Sequence, residues 1–141
     1  MFSATPRVFI GILLAQLLVS ENVMWAQTSL SLCQRITKAN SKKYRAIQDG
    51  TDWHNPKLVV RPEGIEVIGI TPAGQAIPVE SVPEKLEQLP DSAWPYGLVV
   101  MVSDSGIVSS ANDVPRMQIN RSKLLKVLKA HCIAVDLWPS A

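Results

Sequence analysis

From Leu58 onward the apolar positions fall into short blocks whose spacing changes repeatedly. Leu58-Val59-Val60-Arg61 and Ile65-Glu66-Val67-Ile68-Gly69-Ile70 are rich in β-branched residues. They flank Pro62-Glu63-Gly64, where Pro presets φ and Gly accepts a positive φ, so the pair predicts a hairpin. Residues 71–75 predict a second turn. Ala76-Ile77-Pro78-Val79 predicts a short extended return that Pro78 confines to a sheet edge or strand end. Ser81-Val82-Pro83-Glu84 has the spacing of a capping box, and Val82, Leu86 and Leu89 then recur on one helical face until Pro90. The run Leu98-Val99-Val100-Met101-Val102 has no polar alternation, which predicts a central strand covered on both faces. Residues 109–115 are expected to be a loop. Asn120 is expected to cap a second helix with Leu124, Leu125 and Leu128 inward and Lys123, Lys126 and Lys129 outward. Ile133 to Trp138 closes the chain as a strand before Pro139.

Upstream, Leu32, Ile36, Ala39, Lys43 and Ala46/Ile47 follow helical spacing, so a short amphipathic helix is expected there, ended by Asp49-Gly50. The order is helix, hairpin, helix, strand, helix, strand. It predicts an α/β (α+β) domain: a small single sheet with an N-terminal hairpin and two helices on one face, preceded by a basic N-terminal helix. Residues 27–55 read as a basic arm and loop, and residues 56–141 as the α/β domain.

Charge sharpens this division. Arg35, Lys38, Lys42, Lys43 and Arg45 place five cations and no acid between Gln27 and Gln48, whereas Asp49 to Ala141 carries eight basic and eleven acidic residues. A formal net charge of +2 over 141 residues excludes the concentrated basic face expected of a nucleic-acid binder. The arm's cations are instead candidates for weak contact with an anionic membrane or envelope surface. With 47% hydrophobic and 18% charged residues the chain has enough apolar surface to fold as one unit.

The N-terminus sets the expected compartment. Arg7 precedes an apolar stretch from Val8 to Val19, followed by Ser20-Glu21-Asn22, the layout of a signal peptide (residues 1–26) with cleavage after Ala26. The stretch is short of the ~20 apolar residues that span a bilayer. The alternative is an uncleaved N-terminal anchor. Export would bring Cys33 and Cys132 into an oxidising compartment, where they are candidates for one disulfide; two buried thiols are the other reading.

Candidate chemistry is sparse. His54 lies in a turn-rich loop and His131 at a helix end, and no metal-ligand spacing, nucleophile elbow or phosphate loop accompanies them. No catalytic residue, cofactor or metal is therefore expected; a small hydrolase built on His54 and distant carboxylates is the minor alternative. Trp94, Tyr96 and Trp138 are candidate partner-binding residues, with capping of a small core as their plainer role.

Residues 56–138 resemble the periplasmic domain of the ExbD/TolR biopolymer-transport family. The likeness lies in the hairpin Val59 to Val67, in Ile77-Pro78-Val79 leading to a helix that ends Lys85-Leu86-Glu87-Gln88-Leu89, in the apolar strand running into Asp104, and in the Leu-rich helix and last strand. The resemblance implies a sheet-and-helices domain that dimerises or binds an extended peptide along a sheet edge. Members of that family carry an Asp within a membrane helix, and Val8 to Val19 contains no acid, so proton-driven work is not implied. The expected function is an exported, non-catalytic binding or structural module of the bacterial cell envelope. Its partner would be an envelope protein or a second copy, met through a sheet edge. The alternative is a membrane-anchored accessory subunit of an ExbD/TolR-like complex.

Overall fold

Four strands, β1 (Lys57–Arg61), β2 (Gly64–Val67), β3 (Val99–Asp104) and β4 (Ala134–Leu137), form one mixed sheet in the order β2-β1-β3-β4. The computed structural model describes residues 30–140, so the expected signal peptide or anchor, residues 1–26, lies outside the described residues. The hairpin is antiparallel, with Val60 opposite Ile65. β3 runs parallel to both β1 and β4. Parallel neighbours need crossover connections, and α2 (Val82–Glu87) and α3 (Asp113–Ala130) lie in them. The α/β class expected from the sequence is the architecture found.

Alternation along the strands sorts the interior into two cores. Leu58, Val60, Val100 and Val102 face Val82 and Leu86 of α2 and Met117, Leu124 and Leu128 of α3, all buried. On the opposite face Val99 and Met101 pack under Trp53 and Tyr96, with Ala39, Tyr44, Ile47 and Trp138 around them. β3 is thus covered on both sides, as its unbroken apolar run predicts.

The basic arm provides that second cover, and its conformation differs from the expected helix. Helix α1 is one turn, Leu32–Arg35, followed by extended chain and a 3-10 turn at Ser41–Lys43. Helical spacing would place the arm's apolar residues on one stripe, but Leu32 enters the α2/α3 core while Ala39, Tyr44 and Ile47 enter the other. One helix cannot serve both faces of a sheet, and burial overrides the periodicity. Lys38 instead pairs with Leu98 as a parallel bridge, and the Leu98 N–H donates to the Thr37 carbonyl at 2.9 Å. Gly97, at φ +82°, permits this approach: a Cβ there would overlap the Lys38 carbonyl. From Ser31 the arm therefore belongs to the same compact unit as the sheet, and no boundary falls near residue 55.

Other local expectations are also corrected. The second strand ends at Val67, and residues 68–70 turn away. Ser81 makes no capping bond, because it is the αR end of the 3-10 turn Val79–Ser81 that runs directly into α2. Helix α3 begins at Asp113, seven residues before Asn120. Asn120 is interior to that helix, and its Nδ2 donates to the carbonyls of Arg61 and Pro62, at 2.9 and 3.1 Å, fixing the hairpin turn. Pro115 is tolerated because it lies in the first turn, where a missing N–H breaks no intrahelical bond.

Cys33 and Cys132 form a disulfide, with Cα atoms 5.6 Å apart across a separation of 99 residues. The end of α3 sets up the bridge. Ile133 N–H donates to the Leu128 carbonyl and Cys132 N–H to that of Lys129, a Schellman closure with Cys132 in the left-handed region at φ 64°. Among the described residues no helix is long and apolar enough to cross a membrane.

Candidate functional site

The aromatic side of the sheet carries an apolar groove. Strand alternation places Lys57 and Val59 of β1 beside Met101 and Ser103 of β3, in register, on one face. Ile68, leaving β2, and Trp138, just after β4, rise at the two sides. Together these six residues frame a groove of about 450 Å³, with Gly50, Pro139 and Ser140 completing its lining. Its lining is mostly apolar, and Lys57 is the one charged residue in it.

A hydrogen-bond hub holds the walls. Asn55 is buried. Its Nδ2 donates to the Gly97 and Val99 carbonyls, both at 2.8 Å, and its Oδ1 accepts from Tyr96 N–H at 3.0 Å. The Tyr96 hydroxyl accepts from His54 N–H and donates to the Asp52 carbonyl, each at 3.1 Å. Trp53 Nε1–H donates to the Pro56 carbonyl at 3.3 Å. Trp53 meets Tyr44, Tyr96 and Trp138 edge to face at centroid distances of 5.5, 5.1 and 6.2 Å. Such contacts add about 0.5–1.5 kcal/mol per pair beyond burial. The Trp138 indole donates to Asp136 at 2.8 Å, which orients the groove wall.

Beside the groove, β4 is a sheet edge. Ala134 and Trp138 donate their N–H groups to Leu98 and Val102, so residues 134, 136 and 138 face β3. The backbone groups of Val135 and Leu137 then point outward, where no strand pairs with them among the described residues. The Leu137 side chain is 62% exposed. Beyond it, Asp104 and Arg121 form an ion pair at 2.7 Å between two smaller hollows.

The candidate residues are dispersed. Trp94 and Tyr96 are 4% and 8% exposed and offer a partner no surface: Trp94 fills the α2/α3 core and Tyr96 the opposite one. Trp138 is half-buried and lines the groove. Of the arm's cations, Arg35 pairs with Asp91 at 2.8 Å and donates to the Glu87 carbonyl at 3.1 Å, tying the arm to the end of α2. Lys43 reaches the Pro95 carbonyl at 3.4 Å. Lys38, Lys42 and Arg45 are exposed and share no helical face. His54 is exposed beside a hollow of about 220 Å³ that no carboxylate lines. His131 is the exposed C-cap of α3. Among the described residues no group of three or more His, Cys, Asp or Glu could hold a metal ion.

The sequence reading missed Asn55, Lys57 and the groove floor. The alternation Lys57-Leu58-Val59-Val60-Arg61 contains the signal, since Leu58 and Val60 buried leaves Lys57 and Val59 together on the other face. No family, curated protein or solved structure matches this chain.

Proposed function

We propose that this chain is an exported, non-catalytic binding module of the bacterial cell envelope that engages a partner protein by strand addition to the outer edge of β4. The observation that carries the reading is that edge, unpaired among the described residues, with the outward backbone groups of Val135 and Leu137 and the exposed Leu137 side chain. Main-chain pairing supplies affinity in this mode, and alternate side chains supply selectivity. The edge is short and ends at Pro139, which limits indiscriminate pairing. Export is supported by the signal-peptide layout of residues 1–26 and by the Cys33–Cys132 bridge, which an oxidising compartment maintains.

Leu137→Pro tests the edge. The Leu137 N–H faces outward, so proline there removes an edge donor while leaving the ladder to β3 intact. Recovery of the cross-linked envelope partner, or of the cross-linked dimer of this chain, should fall at least about tenfold with unchanged thermal stability. Equal recovery rejects the edge as the contact. A second reading, a membrane-anchored accessory subunit of an ExbD/TolR-like complex, rests on the order of elements in residues 56–138. The first residue of the protein isolated from envelope fractions separates the two: Gln27 supports the exported module, and a retained N-terminus supports the anchored subunit.

A further inference from the structure

We infer that the groove on the aromatic face of the sheet is a binding site for a small straight-chain carboxylate, its anion held by Lys57 and its apolar body lying over Val59 and Met101. Size comes first: about 450 Å³ falls within the ~300–1,000 Å³ typical of small-molecule pockets. Shape follows from the sheet. The floor is the strip between two neighbouring strands about 5 Å apart, which suits an unbranched chain better than a wide ring system. Ile68 and Trp138 form the sides, so a ligand's methylenes would meet apolar surface on three sides.

Charge decides the head group. Lys57 is half-buried, and its ammonium donates to the Gly50 carbonyl at 2.6 Å. No carboxylate lies within ion-pair distance of it among the described residues, which leaves two of its three protons for a ligand. The acids nearby are already engaged. Asp49 accepts from Thr51 N–H at 2.9 Å and feels the Lys57 charge without forming an ion pair with it, Asp136 holds the Trp138 indole, and Glu66, opposite Val59 in register, pairs with Arg61 at 3.3 Å. None of these three lines the groove. Ser103, at the other end of the floor, makes no side-chain hydrogen bond among the described residues and offers a polar stop two residues, roughly 7 Å, from the level of Lys57. That spacing fits an apolar body of about six to eight carbons.

Methyl NMR titration of the disulfide-bonded full chain with octanoate tests the site. Saturable shifts are expected at the Val59 and Met101 methyl groups. Lys57→Gln should weaken binding about tenfold, the loss of one charge-assisted contact. Val59→Phe, which fills the floor without touching the cation, should abolish the shifts, and it guards against a Lys57 variant that merely loosens the Gly50 contact. Octylamine and acetate should bind at least about tenfold more weakly, since one lacks the anion and the other the body. Absence of saturable shifts, equal affinity of Lys57→Gln, or equal binding of octylamine overturns the proposal. Tighter binding of 3-phenylpropanoate than of octanoate overturns the straight-chain assignment.

Discussion

Asn55 shows how one amide can tie two distant segments together. Its two donors and its acceptor meet Gly97, Val99 and Tyr96, so a loop residue becomes the peg on which β3 and the aromatic cover hang. Truncation leaves the Val99 carbonyl and the Tyr96 N–H without partners in a buried place, each costing roughly 1–3 kcal/mol, while the Gly97 carbonyl still accepts from the Val99 N–H at 2.8 Å. Asn55→Ala should therefore lower the free energy of unfolding by about 3 kcal/mol. Asn55→Asp should do comparable damage, because a carboxylate cannot donate to the Gly97 and Val99 carbonyls. Urea midpoints of the two variants check this, and a loss below about 0.5 kcal/mol for either would show that the hub is not needed. Nothing in the sequence separates Asn55 from other loop asparagines. Its importance comes from partners more than forty residues away, which spacing does not reveal.

At the level of elements, the start of α3 joins a local rule to a pH dependence. Asp113 is 8% exposed, and its carboxylate accepts N–H bonds from Ser109 at 2.9 Å and Ser110 at 3.1 Å, with Arg116 3.7 Å away. The Ser109 N–H, then those from Ser110 and the Arg116 charge, hold its pKa below the ordinary 3.8. Because the folded pKa is the lower one, the stabilisation is complete above about pH 4 and is lost as pH falls through the depressed value. Asp113→Asn should accordingly lower the melting temperature at pH 6, with the gap to the unsubstituted protein narrowing as pH falls below the ordinary 3.8. A gap that stays constant from pH 6 to pH 2.5 would contradict the assignment. Asn120 was the more obvious cap in the sequence, yet the helix begins where a carboxylate can collect two upstream N–H groups. Elements whose pattern answers to one face or to total burial were legible: the hairpin around Pro62-Glu63-Gly64 and the β3 run are of this kind. The arm was not, because its apolar residues serve two cores on opposite sides of the sheet, and a periodicity argument assumes one. The groove was half-legible. Alternation in β1 pairs Lys57 with Val59, but only the parallel register with β3 brings Met101 and Ser103 beside them.

From Ser31 onward the described residues form a sheet closed on one face by α2 and α3 and on the other by an irregular arm, and the second cover is the more fragile. Among the described residues it contains no long helix and few main-chain bonds to the sheet, chiefly those of Asn40 to Tyr96 and Leu98 to Thr37. Its attachment is therefore concentrated at a few points: the Asn55 hub, Arg35 on Asp91 and Glu87, Leu32 in the core, and the Cys33–Cys132 bridge to the end of α3. A crosslink across 99 residues restricts the unfolded chain by up to about 4.7 kcal/mol in the loop-entropy account, a large part of the ~5–15 kcal/mol that a domain commands. The variant with Cys33→Ser and Cys132→Ser should unfold at markedly lower urea concentration. Reductant should move the unsubstituted protein to the same midpoint and leave the variant where it is. Amide exchange adds a spatial reading: on reduction, protection at Asn40 and Leu98 should fall before that of β3 residues such as Val100, because the arm loosens while the α2/α3 core persists. Uniform loss of protection would instead mean that both covers come away together, and an unshifted midpoint would mean that the bridge contributes nothing to holding the arm on the sheet.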